Sequence, residues 1–140
     1  MIGILRFPGT NCDQETFDAV KTFGRDAVWL WHEERFDYKN YKGFIIPGGF
    51  SFGDYLRTGV MAARSPAMND LRVAAENGWP VLGICNGFQI LCEAGLLPGV
   101  LMRNSKLRFI DKWVSLKLNR TQSSWYKGTN NIKLPIAHGE

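Results

Sequence analysis

The run VLGICNGFQI, Val81 to Ile90, decides how the rest of the chain is read. Cys85 has a glycine two places before it and another two places after it, Gly83 and Gly87. A cysteine that only fills the end of a strand needs neither. A cysteine at the tip of a sharp strand-to-helix turn needs both, because side chains at those positions would collide with the closely packed backbone. Such a turn lifts the thiol above the sheet at a helix amino terminus. There, unpaired N–H groups and the helix dipole favour thiolate. The N–H of Asn86 then stands ready to hydrogen-bond a developing oxyanion. A buried cysteine with incidental glycines is the competing reading of the pentapeptide.

Working outward, PVLGI reads as a strand and NGFQILCEAG as the helix that follows it. MIGILRF, DAVWLW and GFIIPGGF are three earlier apolar runs of strand length. The first enters the turn PGTNCD, where Asn11 or Asp13 is expected to cap a helix. Phe17, Val20 and Phe23 follow at helical spacing before the stop at Gly24. Residues 66–78 open on Pro66 and close on Gly78, the asymmetry of a helix. Strands alternating with helices predict an α/β fold: a doubly wound, mostly parallel, flavodoxin-like sheet with helices on both faces. Its ligand site is expected at the carboxyl ends of the strands. After Leu97, Val114, Leu116 and Leu118 alternate with polar residues as in a half-exposed strand. RTQSSWYKGTNN is turn-rich, and IKLPIAHGE reads as one more strand leading into a loop.

At 140 residues, of which 45% are hydrophobic, one domain over 1–140 is expected. No apolar run approaches the roughly 18 to 20 residues of a membrane span, and no secretory leader is expected at the amino terminus. Three irregularly spaced cysteines suggest reduced thiols and a cytoplasmic setting, and no pair has zinc-like spacing. The net charge of +4 is uneven: residues 1–100 carry nine basic and eleven acidic side chains, residues 101–140 eight and two. With no binding module accompanying it, that excess reads as a solvated face or a surface for an acidic partner, not a nucleic-acid site. Cys92 is expected in the core, and His32 as a solvated strand-end residue. Cys12 lies in a turn near a strand's carboxyl end.

The second chemical constellation is IIPGGFSFGDYLRTGV, Ile45 to Val60. A strand ending in Pro47-Gly48-Gly49 leaves backbone N–H groups unshielded, so the loop can complete an oxyanion hole beside the elbow. Asp54, Tyr55 and Arg57 are more polar than a turn requires; they support the loop, meet a partner or simply face solvent.

GICNGFQIL resembles the nucleophile elbow of class I (triad-type) glutamine amidotransferases, and PGGF resembles their oxyanion loop. LRFPGTNCDQE and PGGFSFGDYLRTG are similar to the glutaminase subunits of the formylglycinamide ribonucleotide amidotransferases (phosphoribosylformylglycinamidine synthases) of purine biosynthesis. The resemblance covers essentially the whole chain. It implies that Cys85 attacks the side-chain amide of glutamine, giving a glutamyl thioester and ammonia. Gly49 and Asn86 would supply the oxyanion hole, with Gly48 beside the substrate and Gln89 contacting its amino-acid end. The ammonia would pass to a synthetase subunit that uses ATP and magnesium, with or without a small accessory subunit; no cofactor is expected here.

In that family a catalytic His-x-Glu lies near the carboxyl end, and an earlier His-Gly segment lines the glutamine pocket. The resemblance places His138, Gly139 and Glu140 in the pocket wall and implies that the closing elements, with the catalytic pair, are missing. The alternative is that His138 and Glu140 act as the catalytic pair themselves. A catalytically impaired partner of the synthetase, or another elbow-cysteine hydrolase, are the competing functions.

Overall fold

The computed structural model describes residues 1–118, 124, 125 and 131–140, and these divide into two units, Met1–Val100 and Leu101–Glu140. In the first, β1 (Ile2–Arg6), β2 (Ala27–Trp31), β3 (Gly43–Ile46) and β4 (Val81–Gly83) form a sheet in the order β2-β1-β3-β4. Every pairing in it is parallel. α1 (Asp13–Thr22) joins β1 to β2, α2 (Pro66–Glu76) lies between β3 and β4, and α3 (Asn86–Glu93) follows β4.

The central strands β1 and β3 are buried almost throughout, which is why they read as unbroken apolar runs instead of alternating ones. Register sorts their side chains between the faces. Ile4 pairs with Ile45, and Ile45 with Leu82; this row packs against Val20 and Phe17 of α1. Leu5, Leu30, Phe44 and Ile46 point the other way, onto Met68, Leu71 and Ala74 of α2 and Ile90 and Leu91 of α3. The sheet is thus wound on both sides, and full burial of each large side chain contributes about 1.5–3 kcal/mol.

Several local expectations are corrected. The amino-terminal cap of α1 is Cys12, without a side-chain capping bond, in place of Asn11 or Asp13. Asp13 lies one residue inside the helix, where its carboxylate pairs with the Arg6 guanidinium at the end of β1. Phe23 is 84% exposed, because α1 has ended at Thr22 and the chain turns away through Gly24 at φ 69°. His32 is buried, enclosed by the rings of Phe7, Trp31 and Phe52. Its backbone is held from both sides, by N–H donation to the Arg6 carbonyl and acceptance from the Ala67 N–H. Cys92 is half-buried, and desolvation followed by Glu93 raises its thiol pKa.

In the second unit, β5 (Ile110–Lys117) and β6 (Asn131–His138) form an antiparallel pair running from Ile110↔His138 to Lys117↔Asn131. Val114 is half-buried, whereas Leu116 is exposed against expectation. The basic residues Lys112, Lys117 and Lys133 are exposed, which suits a solvated face and a surface for an acidic partner equally. The turn-rich stretch expected over 120–131 lies mostly outside the described residues.

Candidate active site

At the carboxyl end of β4 the chain makes one more sheet bond, from Ile84 N–H to the Ile46 carbonyl at 3.0 Å, and then turns abruptly. Cys85 occupies φ 52°, ψ −111°, and α3 starts at the next residue. A non-glycine residue held there costs on the order of 1–3 kcal/mol, a strain that clusters at functional positions. The glycines permit it. A Cβ on Gly87 would sit 2.0 Å from the Ile46 carbonyl oxygen, and one on Gly83 would sit 2.6 Å from the Gly87 oxygen. Only bare backbone lets α3 begin directly against β3. The Cys85 side chain is exposed at the sheet's carboxyl edge, not packed inside.

The loop after β3 comes to this same place. A Cβ on Gly48 would lie 3.4 Å from the Cys85 Cβ and 3.6 Å from the Cys12 sulfur, so Gly48 stands beside both thiols. Gly49, at φ 141°, has no room for a side chain, since a Cβ would be 2.5 Å from the Asn11 nitrogen. The loop is clamped to the turn after β1. Asn11 and Cys12 N–H groups donate to the Gly48 carbonyl at 3.3 and 3.2 Å, and Phe50 N–H donates to the Gly9 carbonyl at 2.9 Å. These bonds leave the Gly49 N–H out of the pairing.

Further ties were not legible in the sequence. The buried Asn86 side chain accepts the Ser51 N–H on Oδ1 at 3.1 Å and donates from Nδ2 to Gln89 Oε1 at 3.2 Å. Arg57 pairs at 2.6 Å with Glu93, so its role is to fasten the loop to the far end of α3. Tyr55 and Leu56 are exposed nearby. Cys12 has its thiol pKa raised, first by desolvation, then by Glu15, Cys85 and Asp13. Partners some 35 residues apart carry no local pattern, and for Cys12 a turn position near a strand end was the sole signal. His138, Gly139 and Glu140 belong to the second unit, at the end of β6. Asn104 holds that end, donating from Nδ2 to the His138 carbonyl and from its N–H to the Gly139 carbonyl. Among the described residues, no group of three His, Cys, Asp or Glu side chains could hold a metal ion, and no helix is long and apolar enough to cross a membrane.

A parallel α/β sheet with an exposed, strained cysteine between its fourth strand and the following helix, and a glycine loop from the neighbouring strand beside it, defines the cysteine-elbow class of α/β domains. Within that class, the chain belongs to the family of CobB/CobQ-like glutamine amidotransferase domains, whose model matches residues 1–140. Among curated relatives, the phosphoribosylformylglycinamidine synthase subunit PurQ of Pyrococcus horikoshii is 49% identical over 140 residues, spanning 98% of this chain and 62% of that protein. The subunit of the same name from Rhodopseudomonas palustris is 50% identical over 141 residues, spanning 98% and 60%. A chain of the solved PurLQS structure from Thermotoga maritima matches with a TM-score of 0.84 at 40% identity, over 99% of this chain and 66% of that one. The chain thus spans about 60–62% of the length of these curated relatives.

Proposed function

We propose that this chain carries the nucleophile and oxyanion hole of a glutaminase that feeds ammonia to a synthetase making formylglycinamidine ribonucleotide. The observation that carries the reading is the exposed Cys85 at φ 52°, one residue before α3 and beside Gly48. Membership of a glutamine amidotransferase family supports glutamine as the substrate.

In this mechanism the Cys85 sulfur attacks the side-chain amide carbon of glutamine. The carbonyl electron pair moves onto oxygen, and the N–H groups of Gly49 and Asn86 stabilise the oxyanion. One such donor contributes about 3 kcal/mol in a comparable site. The tetrahedral intermediate collapses with cleavage of the C–N bond; the nitrogen takes a proton and leaves as ammonia. Water then cleaves the glutamyl thioester, releasing glutamate and restoring the thiol. The ammonia passes to an ATP- and magnesium-using synthetase subunit, and the likeness to a chain of the PurLQS structure supports a synthetase partner. For His138, Gly139 and Glu140 the pocket role rests on sequence resemblance alone. The free thiols fit a cytoplasmic setting.

The test is covalent labelling. A γ-chloroketone analogue of glutamine is expected to modify Cys85, read by mass spectrometry of the peptide around it, and free glutamine is expected to slow that modification. Labelling that glutamine leaves unchanged sinks the reading. Ammonia release, measured with and without the synthetase, separates a turning-over glutaminase from a binding partner that only keeps the site.

A further inference from the structure

We infer that Cys12 and Cys85 form a reversible dithiol pair, which hydrogen peroxide closes to a disulfide and reducing thiols reopen. Two segments far apart in sequence bring these side chains to one residue. A Cβ on Gly48 would lie 3.4 Å from the Cys85 Cβ and 3.6 Å from the Cys12 sulfur. Gly48 carries only a hydrogen there, so its own side chain does not fill the space next to both. A disulfide needs Cβ atoms about 3.5–4.5 Å apart, a span comparable to these contacts. Both backbones are held. Cys12 donates its N–H to the Gly48 carbonyl at 3.2 Å, and its own carbonyl accepts from the Thr16 N–H at 3.2 Å and the Thr16 hydroxyl at 2.6 Å. The Cys85 carbonyl accepts from the Gln89 N–H at 3.2 Å, and the preceding N–H, of Ile84, is bonded to Ile46. Closure therefore turns on rotation of two short side chains, with the strands left in place.

Both thiols are exposed, so a small oxidant reaches them. The Cys12 thiol pKa is raised, first by desolvation, then by Glu15 and by Cys85, so the two sulfurs are close enough to interact. A thiol shifted upward is a slow first target, which makes Cys85 the sulfur oxidised first and Cys12 the one that resolves it. The Cys85 sulfur attacks hydrogen peroxide: an S–O bond forms, the O–O bond breaks, and hydroxide leaves with the thiol proton as water. The Cys12 sulfur then attacks the Cys85 sulfur. The S–S bond forms, the S–O bond breaks, and a second hydroxide leaves with the Cys12 proton as water. Two thiols have lost two electrons and two protons, and the peroxide is reduced to two waters. The nucleophile is silent while the bond stands, and it is kept from the sulfinic and sulfonic acids that thiols do not reverse.

The experiment treats the reduced chain with hydrogen peroxide, alkylates the remaining thiols with iodoacetamide and maps the peptides by mass spectrometry. A pair of peptides joined through Cys12 and Cys85 is expected, lighter by two hydrogens than the two reduced peptides and separated by dithiothreitol. Iodoacetamide labelling of Cys85 is expected to fall about tenfold on oxidation and to return to within about twofold after dithiothreitol. In Cys12→Ser the same treatment should leave Cys85 as a sulfenic acid that dimedone traps, and longer exposure should cut the labelling recovered by dithiothreitol at least about fivefold relative to the parent. Cys85 left reduced, Cys85 oxidised without a Cys12–Cys85 peptide pair, or a link to Cys92 overturns the proposal. So does a link found only in disulfide-joined dimers on a non-reducing gel, or equal recovery in Cys12→Ser and the parent. The peptide map uses the unsubstituted chain and is independent of any variant's folding. It uses no glutamine, so its failure leaves the glutaminase reading standing, and labelling that glutamine does not slow leaves the dithiol standing.

Discussion

A methyl group on Gly87 would be 2.0 Å from the carbonyl oxygen of Ile46 and 2.7 Å from its carbonyl carbon. Both atoms are backbone of β3, a strand buried over its whole length, so neither can step aside cheaply. Gly87→Ala is expected to cost at least about 3 kcal/mol in urea unfolding and to slow Cys85 alkylation by displacing the start of α3. Gly139→Ala, where a Cβ meets nothing within 4 Å, is the control and should stay within about 0.5 kcal/mol.

Arg57 and Glu93 form an unequal ion pair. The Glu93 side chain is 5% exposed and the Arg57 side chain 52%. Removing the arginine leaves a buried carboxylate without its cation, whereas removing both charges does not. Arg57→Ala is expected to destabilise by about 2 kcal/mol, and Arg57→Ala with Glu93→Gln to recover at least half of that. Denaturant unfolding of the two variants checks the order, and equal losses would argue against a buried-charge penalty.

Asp70 supplies the pH dependence. Its carboxylate receives two hydrogen bonds from Arg35, at 2.7 and 2.8 Å, and one from the Phe36 N–H at 2.9 Å. The Arg35 bonds hold its pKa below the ordinary carboxylate value against desolvation, which pushes the other way, and the Phe36 bond adds to the lowering. A folded-state pKa below the unfolded one means stability fully present above the ordinary carboxylate range, about 4, and lost as pH falls through the folded value. The gap in unfolding midpoint between the parent and Asp70→Asn should therefore be widest near pH 7 and shrink as pH falls below about 4. A gap that widens on acidification would contradict the sign.

Much of this architecture was legible in the residues. The four parallel strands and three helices lie within a few residues of the apolar runs, and Pro66 and Gly24 stand at the helix boundaries assigned to them. Gly83 and Gly87 announced the elbow because close backbone approach leaves glycine as the one residue type that fits. His32 was misread because its polarity argued for solvent, while three aromatic rings from separate segments close over it. Phe23 was misread in the opposite sense, since helical spacing says nothing about where the helix stops. Asp13 looked like a cap until Arg6 claimed its carboxylate.

The sequence by itself determined the alternation of strand and helix, the bend at Cys85 and the glycine loop after the third strand. These follow from side-chain periodicity and backbone sterics, which act over a few residues. Only the tertiary structure decided that Ser51 meets Asn86, that Arg57 meets Glu93, and that Gly48 stands beside both Cys12 and Cys85. Those partners are 35 or more residues apart. The strength of a hydrogen bond or ion pair depends on ångström-scale distance and on exclusion of water, and neither exists until the sheet has brought its carboxyl ends together.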